Sequence, residues 1–130
     1  MAEYLLDASA LIDWLKGKPE ALDLLDALVA GEHVLGVNAI AIAETYSGFS
    51  QEEREHEEAF LSSFLYWPID REMAELAGAY RYKYTRLGQP KSVQDMLMAA
   101  HAVRRDATLI AANVRDFPMP ELKILPLPGG

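Results

Sequence analysis

The order of hydrophobic and polar positions along the chain predicts strands that alternate with helices. The first segment, EYLLDASALIDWLKG (residues 3–17), begins with an unbroken apolar run, which is typical of a strand buried on both faces. From Ala8 to Leu15, apolar residues recur at i, i+3, i+4 and i+7, the spacing of one helix face. A single carboxylate, Asp7, lies between the two, and its simplest interpretation is a helix N-cap.

The same alternation continues to the end of the chain. The segments HVLGV, LYWPI, ATLIA and KILPL are predicted strands, and residues that favour helix N-termini precede four later helices: Asn38, Ser50, Asp70 and Ser92. This order predicts an α/β fold with a mainly parallel sheet. Because no repeat, low-complexity tract or linker interrupts it, we expect residues 1–130 to form one domain.

The composition argues against several classes of protein. With 20 acidic and 12 basic residues the net charge is −8, which does not fit a general polyanion binder. The chain contains no cysteine, so it has no disulfide and no thiolate metal site, and we expect it in a reducing cytoplasm. Since no apolar run approaches about 18 residues and no basic region begins the chain, we expect neither a membrane span nor a signal peptide.

Polar side chains follow two of the predicted strands. Asp7 comes directly after the first strand, and Asn113 and Asp116 follow the strand ATLIA. In a parallel sheet, ligands bind outside the carboxyl ends of the strands, so these side chains are candidates for a common site. The alternative is that Asn113 is a turn residue and Asp116 a loop cap.

Two further acids lie on predicted helices in surroundings unusual for a surface charge. Glu44 has no cation at helical contact spacing, and Asp95 shares its face with small or apolar residues. An inward-facing charge is costly unless it is paired, hydrogen-bonded or bound to a metal. The alternatives are that Asp95 completes a capping box with Ser92 and that Glu44 bends into water.

Convergent carboxylates without cysteine or histidine ligands favour a hard cation such as Mg²⁺ or Mn²⁺. Such a site can activate water and stabilise a phosphoryl oxygen. The histidines lack the spacing of a metal site, and we expect His101 to be a partly buried packing residue.

Three motifs, in this order, resemble the PIN-domain family and its small VapC-like toxins: LLDASALIDWLKG, AIAETYSG and SVQDMLMAAHAVRRDATLIAANVRDF. The resemblance implies a three-layer α/β sandwich with a central, mainly parallel five-stranded sheet. It also implies an endoribonuclease that depends on Mg²⁺ or Mn²⁺, with Asp7, Glu44 and Asp95 as catalytic metal ligands. Ser9 would hydrogen-bond within the site and orient it.

The sequence departs from the family pattern at two positions. The fourth acidic position falls on Asn113, so Asp116 is the candidate for the missing charge as a further metal ligand. Ala111 replaces a hydroxyl residue that is common in relatives. As partners, the resemblance implies an RNA substrate, a cognate antitoxin protein and a second copy in a homodimer.

A basic and aromatic segment precedes the Asp95 helix. RYKYTRLGQPK (residues 81–91) mixes cations with tyrosines, a combination suited to single-stranded RNA, so Arg81, Lys83 and Arg86 are predicted RNA contacts. The alternative is an amphipathic helix end in which Tyr80 and Tyr84 are packed and the cations are solvated.

Other functions fit the sequence less well. A haloacid dehalogenase-type enzyme needs a second Asp where Ser9 stands, and a receiver domain needs paired acids after the first strand. The main rival is a PIN-fold binding or regulatory module without nuclease activity, which Asn113 favours and the acids Asp7, Glu44 and Asp95 disfavour.

Overall fold

A computed structural model describes residues 2–128, and in that range five strands form one sheet. The strands are Glu3–Leu6 (β1), Val34–Val37 (β2), Leu65–Tyr66 (β3), Thr108–Ala111 (β4) and Ile124–Pro126 (β5). Their order is β3-β2-β1-β4-β5, and every neighbouring pair is parallel. The predicted mainly parallel sheet is thus confirmed, with no antiparallel pair among the described residues.

Helices connect these strands. Residues 2–128 contain α1 (Ala8–Leu15), α2 (Pro19–Ala30), α3 (Ala39–Ser47), α4 (Gln51–Leu61), α5 (Arg71–Arg86), α6 (Val93–Arg105) and a 3₁₀ turn at Val114–Asp116. From β1 the chain proceeds outward to β2 and β3 on one side of the sheet and then returns past β1 to form β4 and β5 on the other side. Because crossovers between parallel strands are right-handed, this change of direction places helices on both faces of the sheet. None of the described helices is long and apolar enough to cross a membrane.

Local capping signals fix the predicted helix starts. The Asp70 carboxylate accepts from the Met73 N–H at 2.9 Å. Ser50 and Glu53 form a complete capping box, with bonds of 3.2 and 3.0 Å. These caps satisfy N–H groups that the first helical turn leaves unpaired, which is why the sequence predicted the starts correctly.

The carboxyl-terminal halves of the central strands lie inside the core. Leu5 and Leu6 of β1 and Leu109 and Ile110 of β4 are each 0% exposed, as a strand covered on both faces requires. On β2 a side chain is excluded at Gly36, because a Cβ there would overlap the ring of Trp67.

A buried polar pair joins α3 to α6. Asn38 caps α3 by accepting from the Ala41 N–H at 3.0 Å, and its Nδ2 donates to Nδ1 of His101 at 2.9 Å. His101 is 0% exposed, so its predicted partial burial is wrong. Burial lowers the pKa of His101, and the ring stays neutral with Nδ1 as the acceptor. The pair ties the helix that carries Glu44 to the helix that carries Asp95.

Candidate active site

The sheet brings the ends of β1 and β4 to the same edge. Leu6 is paired with Ile110, and the Asp7 N–H donates to the Ile110 carbonyl at 3.0 Å. The chain then turns into α1 after β1 and into the 3₁₀ turn that ends at Asp116 after β4. Asp7 and the loop that carries Asp116 therefore begin at the same edge of the sheet, as expected for neighbouring parallel strands.

Ser9 connects the two strand ends. Its hydroxyl donates to Oδ2 of Asp7 at 2.9 Å and accepts from the Ala112 N–H at 3.1 Å. The Asp7 backbone occupies the N-cap position of α1, and its carbonyl accepts from the Ala10 N–H at 3.0 Å. The predicted N-cap is confirmed for the position of Asp7. Its carboxylate makes no capping hydrogen bond of good distance and angle, although the nearby N–H groups of Ala8 and Ser9 lower its pKa. The hydrogen bond that holds this side chain comes from the Ser9 hydroxyl.

Electrostatic coupling shows which acids share a site. The pKa of Asp7 is raised by burial and by the charge of Asp116, against the Ser9 hydrogen bond. The pKa of Asp95 is raised by burial and by Asp116 and Asp7, although the Ser92 hydrogen bond opposes the rise. The pKa of Glu44 is raised by burial, then by Asp7 and Asp95. Each of the acids Asp7, Glu44 and Asp95 is therefore acted on by the charge of at least one of the others or of Asp116, and these four residues are hereafter the acidic cluster.

The members of the acidic cluster differ in burial. Asp7, Asp95 and Asp116 are half-buried, whereas Glu44 is exposed. The expectation that Glu44 faces inward therefore holds only in part: the residue is exposed, but partial burial and the charges of Asp7 and Asp95 still raise its pKa. The reason is that Ala41 and Thr45 form the buried face of α3, which leaves Glu44 at the flank of that face.

Asp95 combines a backbone and a side-chain role at the start of α6. Ser92 caps the helix by accepting from the Asp95 N–H at 3.0 Å. The reciprocal bond that would complete a capping box is formed at Ser50 and Glu53 but is not found at Ser92 in the described chain. The Asp95 carboxylate interacts with the Ser92 side chain, which lowers its pKa, while the charges of Asp116 and Asp7 raise it.

Asn113 and Asp116 occupy different positions in the loop after β4. Asn113 is exposed and begins the 3₁₀ turn, and its carbonyl accepts from the Asp116 N–H at 3.0 Å. The carboxylate of Asp116, three residues further on, is the group whose charge acts on Asp7 and Asp95. Asp116, and not Asn113, thus contributes negative charge near Asp7 and Asp95 in this loop.

The donor set suits a hard cation. The acidic cluster offers only carboxylate oxygens, which Mg²⁺ and Mn²⁺ prefer. Within residues 2–128 no three Asp, Glu or His side chains are drawn together into a ready-made metal cage. Mg²⁺ usually keeps several waters and uses one or two protein carboxylates, so a looser cluster of mutually repelling acids fits it.

Lys91 was included in the predicted basic segment 81–91, but it was not named as an RNA contact or as a neighbour of Asp95. Its charge lowers the pKa of Asp95, and its Nζ donates to the Arg115 carbonyl at 3.1 Å. The available signal was its position directly before Ser92, because the N-terminus of α6 was already predicted to lie at the site.

The segment 81–91 has both packed and exposed parts. Tyr80 and Tyr84 are buried, which confirms the packed part of the alternative interpretation. Tyr82 is 63% exposed, and the guanidinium of Arg86 lies 3.7 Å from its ring centroid. The Arg81 Nε donates to the Lys91 carbonyl at 3.2 Å, which joins this segment to the rim of the acidic cluster.

Comparison with known proteins agrees with this arrangement. The PIN domain family matches residues 4–119. Ribonuclease VapC19 of Mycobacterium tuberculosis is 30% identical over 120 residues, which cover 92% of this chain and 96% of the relative. Ribonuclease VapC10 of the same species is 33% identical over 116 residues, covering 88% and 86%.

Solved structures share the fold at lower sequence identity. VapBC2 from Rickettsia felis, bound to a promoter DNA fragment, superposes with a TM-score of 0.82 at 21% identity over 95% of this chain and 98% of that chain. DNA-bound VapBC from Salmonella typhimurium gives a TM-score of 0.82 at 24% identity over 98% and 99%. The chain therefore belongs to the PIN-domain family, and within that family to the VapC proteins.

Proposed function

We propose that this chain is a divalent-metal-dependent endoribonuclease that hydrolyses RNA phosphodiester bonds. The observation that carries the proposal is the carboxylate of Asp7, held by Ser9 at the carboxyl edge of the parallel sheet, with the charges of Asp116 and Asp95 near enough to affect the pKa values of the acidic cluster. Relatives at 30% and 33% identity are named ribonucleases, which supports the same reaction class.

The acidic cluster would hold Mg²⁺ or Mn²⁺ through Asp7, Glu44, Asp95 and Asp116. When bound, the cation activates water and neutralises charge on the phosphoryl oxygens. Asp7 is the fixed ligand, because Ser9 holds its Oδ2 and is itself held by the backbone of β4. Glu44, which is exposed, is the ligand with most freedom to adjust.

The remaining polar groups would act on the RNA. The exposed amide of Asn113 can donate to or accept from the strand but adds no charge. Arg81, Lys83 and Arg86 would contact phosphates along the end of α5. The exposed Tyr82, with Arg86 on its ring, offers a base-stacking surface.

The protein would be the toxin of a toxin–antitoxin pair and form a homodimer. Structures similar to this chain are described as VapBC proteins and, in one case, as a toxin–antitoxin complex from Klebsiella pneumoniae. Val29 on α2 is 61% exposed, so an apolar side chain is free for a protein contact.

The test is cleavage of a mixed-sequence single-stranded RNA by the purified protein with Mg²⁺, with Mn²⁺ and with EDTA. Asp7→Asn removes one charge from the acidic cluster, and the matched control Asp23→Asn removes the same charge from an exposed position on α2. Titration of each protein with Mn²⁺ by calorimetry reads metal binding separately from cleavage.

We expect cleavage that requires a divalent ion, is lost in Asp7→Asn and is retained in Asp23→Asn. Cleavage that persists in EDTA, or that Asp7→Asn leaves intact, would overturn the proposal. An inert wild type that binds no Mn²⁺ would identify a PIN-fold binding module without nuclease chemistry.

A further inference from the structure

Lys91 is fixed at the rim of the acidic cluster by two backbone contacts. Its Nζ donates to the carbonyl of Arg115 at 3.1 Å, and its own carbonyl accepts from Nε of Arg81 at 3.2 Å. It directly precedes Ser92, the N-cap of α6. The half-buried Lys91 therefore bridges the end of α5 and the loop that carries Asp116.

The ammonium group of Lys91 forms no ion pair within 4.0 Å with a carboxylate of the described chain. A lysine ammonium has three N–H donors, so its bond to the neutral Arg115 carbonyl leaves two. Burial and the neighbouring carboxylates raise the pKa of Asp95 while Lys91 lowers it, so the two charges are near but not paired.

An open cleft lies along the loop that follows β4. It has a volume of 530 Å³ and is lined by residues 112–116. Lys91 does not line this cleft, but its Nζ donates to the carbonyl of Arg115, one of the lining residues. The acidic cluster repels any anion that enters there without a cation. The positive charge of Lys91 would favour an RNA backbone that approaches the acidic cluster through this cleft.

We propose that Lys91 binds a backbone phosphate of the RNA beside the phosphodiester that is cleaved, and so sets the register of the strand against the acidic cluster. This inference rests on the proposed function. Lysine recognises phosphate as a point charge, and a phosphate contact positions a strand without reading its bases. Lys91 is thus a substrate-binding residue. The competing explanation is that it only offsets repulsion among the carboxylates.

The experiment compares Lys91→Met and Lys91→Arg with the matched control Lys123→Met. Lys123 also donates to a backbone carbonyl, that of Asp106 at 3.2 Å, at the opposite end of α6, and differs from Lys91 in pairing with the exposed Asp106 carboxylate at 2.8 Å. Steady-state cleavage of single-stranded RNA is measured in each variant. In parallel, binding of a fluorescein-labelled single-stranded RNA is followed by anisotropy in an Asp7→Asn background with Mg²⁺, where the probe stays intact.

We expect Lys91→Met to raise KM and weaken RNA binding by about tenfold, the size of one charge-assisted hydrogen bond, with kcat changed less than KM. The slope of log Kd against log salt concentration should fall by about 0.7, the value for one phosphate contact to a single strand. Lys91→Arg should retain most of the affinity, and Lys123→Met should match the wild-type background. Calorimetry should show Mn²⁺ binding to Lys91→Met at least as tight as to wild type, because a repelling charge is gone.

Equal RNA affinity of Lys91→Met and Lys123→Met would overturn the inference. Weaker Mn²⁺ binding by Lys91→Met would also overturn it, because that result would show that Lys91 organises the carboxylates. These outcomes are separate from the proposed function. A wild type that cleaves RNA while Lys91→Met binds it normally refutes only the role of Lys91. An inert wild type whose RNA binding depends on Lys91 refutes only the nuclease activity.

Discussion

The Ser9 hydroxyl offers the sharpest test of how the site is built. It donates to Asp7 at 2.9 Å and accepts from the Ala112 N–H at 3.1 Å, both in part-buried surroundings. Ser9→Ala removes a hydrogen bond to a charged acceptor, worth about 1.5 kcal/mol at the low end, and leaves an N–H unpaired at about 1 kcal/mol. The higher helix propensity of alanine offsets roughly 0.5 kcal/mol of this loss in the free energy of unfolding. The net expected loss in the free energy of unfolding is about 2 kcal/mol.

Urea denaturation at neutral pH in EDTA, followed by circular dichroism, measures this loss. The matched control is Ser63→Ala, because Ser63 is exposed and its hydroxyl donates to the Phe60 carbonyl within one turn. That control should change stability by less than about 0.5 kcal/mol. Ser9→Thr keeps the hydroxyl and should recover most of the loss.

The same substitution has a chemical consequence at Asp7. The Ser9 hydrogen bond lowers the pKa of Asp7, so Ser9→Ala should raise that pKa further. Mn²⁺ binding by Ser9→Ala should then weaken more at pH 6 than at pH 8. If Ser9→Ala were no less stable than Ser63→Ala, the hydroxyl would not be the link between β4 and Asp7 that the geometry indicates.

Other expectations follow from burial, charge and packing. The pKa of Asp7 is higher in the folded protein than its ordinary value of 3.8, so the fold favours the protonated carboxyl group. The contribution of this group to folding stability is therefore fully present below pH 3.8 and is lost as the pH rises through the raised pKa. In EDTA, Asp7→Asn should therefore be more stable than wild type at pH 7 and lose that advantage near pH 4, and urea midpoints that show the reverse would refute the sign. The raised pKa values of Glu44 and Asp95 should make Mn²⁺ affinity, measured by calorimetry, start to fall at a higher pH than ordinary carboxylates would allow. Gly36→Ala should destabilise the fold by about 1–3 kcal/mol, because the added Cβ would overlap the Trp67 ring. Gly78→Ala, at an open position on α5, should stabilise the fold by roughly 0.5–1 kcal/mol. A thermal unfolding midpoint that is higher for Gly36→Ala than for Gly78→Ala would contradict this packing.

The fold was predictable because its signals are local. The Ser50 and Glu53 capping box and the Asp70 N-cap lie within three residues of their partners, so the sequence alone marks the helix starts. The convergence of Asp7 and Asp116 was predictable for a different reason. Once strands and helices alternate, a parallel sheet brings the strand ends to one edge whatever the loops contain.

The details that were missed depend on contacts between distant parts of the chain. Asn38 and His101 are 63 residues apart, and no local pattern shows that a capping amide also binds a buried imidazole. The exposure of Glu44 depends on which face of α3 packs against the rest of the fold. The contact of Lys91 with the Arg115 carbonyl requires the path of the loop after β4, which hydrophobic periodicity does not give.

The acidic cluster works against the stability of the metal-free fold. Burial and mutual repulsion raise the pKa values of Asp7, Glu44 and Asp95, so folding at neutral pH gathers charges that the unfolded chain keeps apart. Among residues 2–128 no ion pair relieves this repulsion directly, and the nearby Lys91 contacts the Arg115 carbonyl. A cation that binds only the folded state restores stability by about 2.7 kcal/mol at one hundred times its Kd. We therefore expect the midpoint of thermal unfolding to rise with Mn²⁺ in wild type and much less in Asp7→Asn. Equal rises in both proteins would place the ion elsewhere and remove the physical basis of the proposed site.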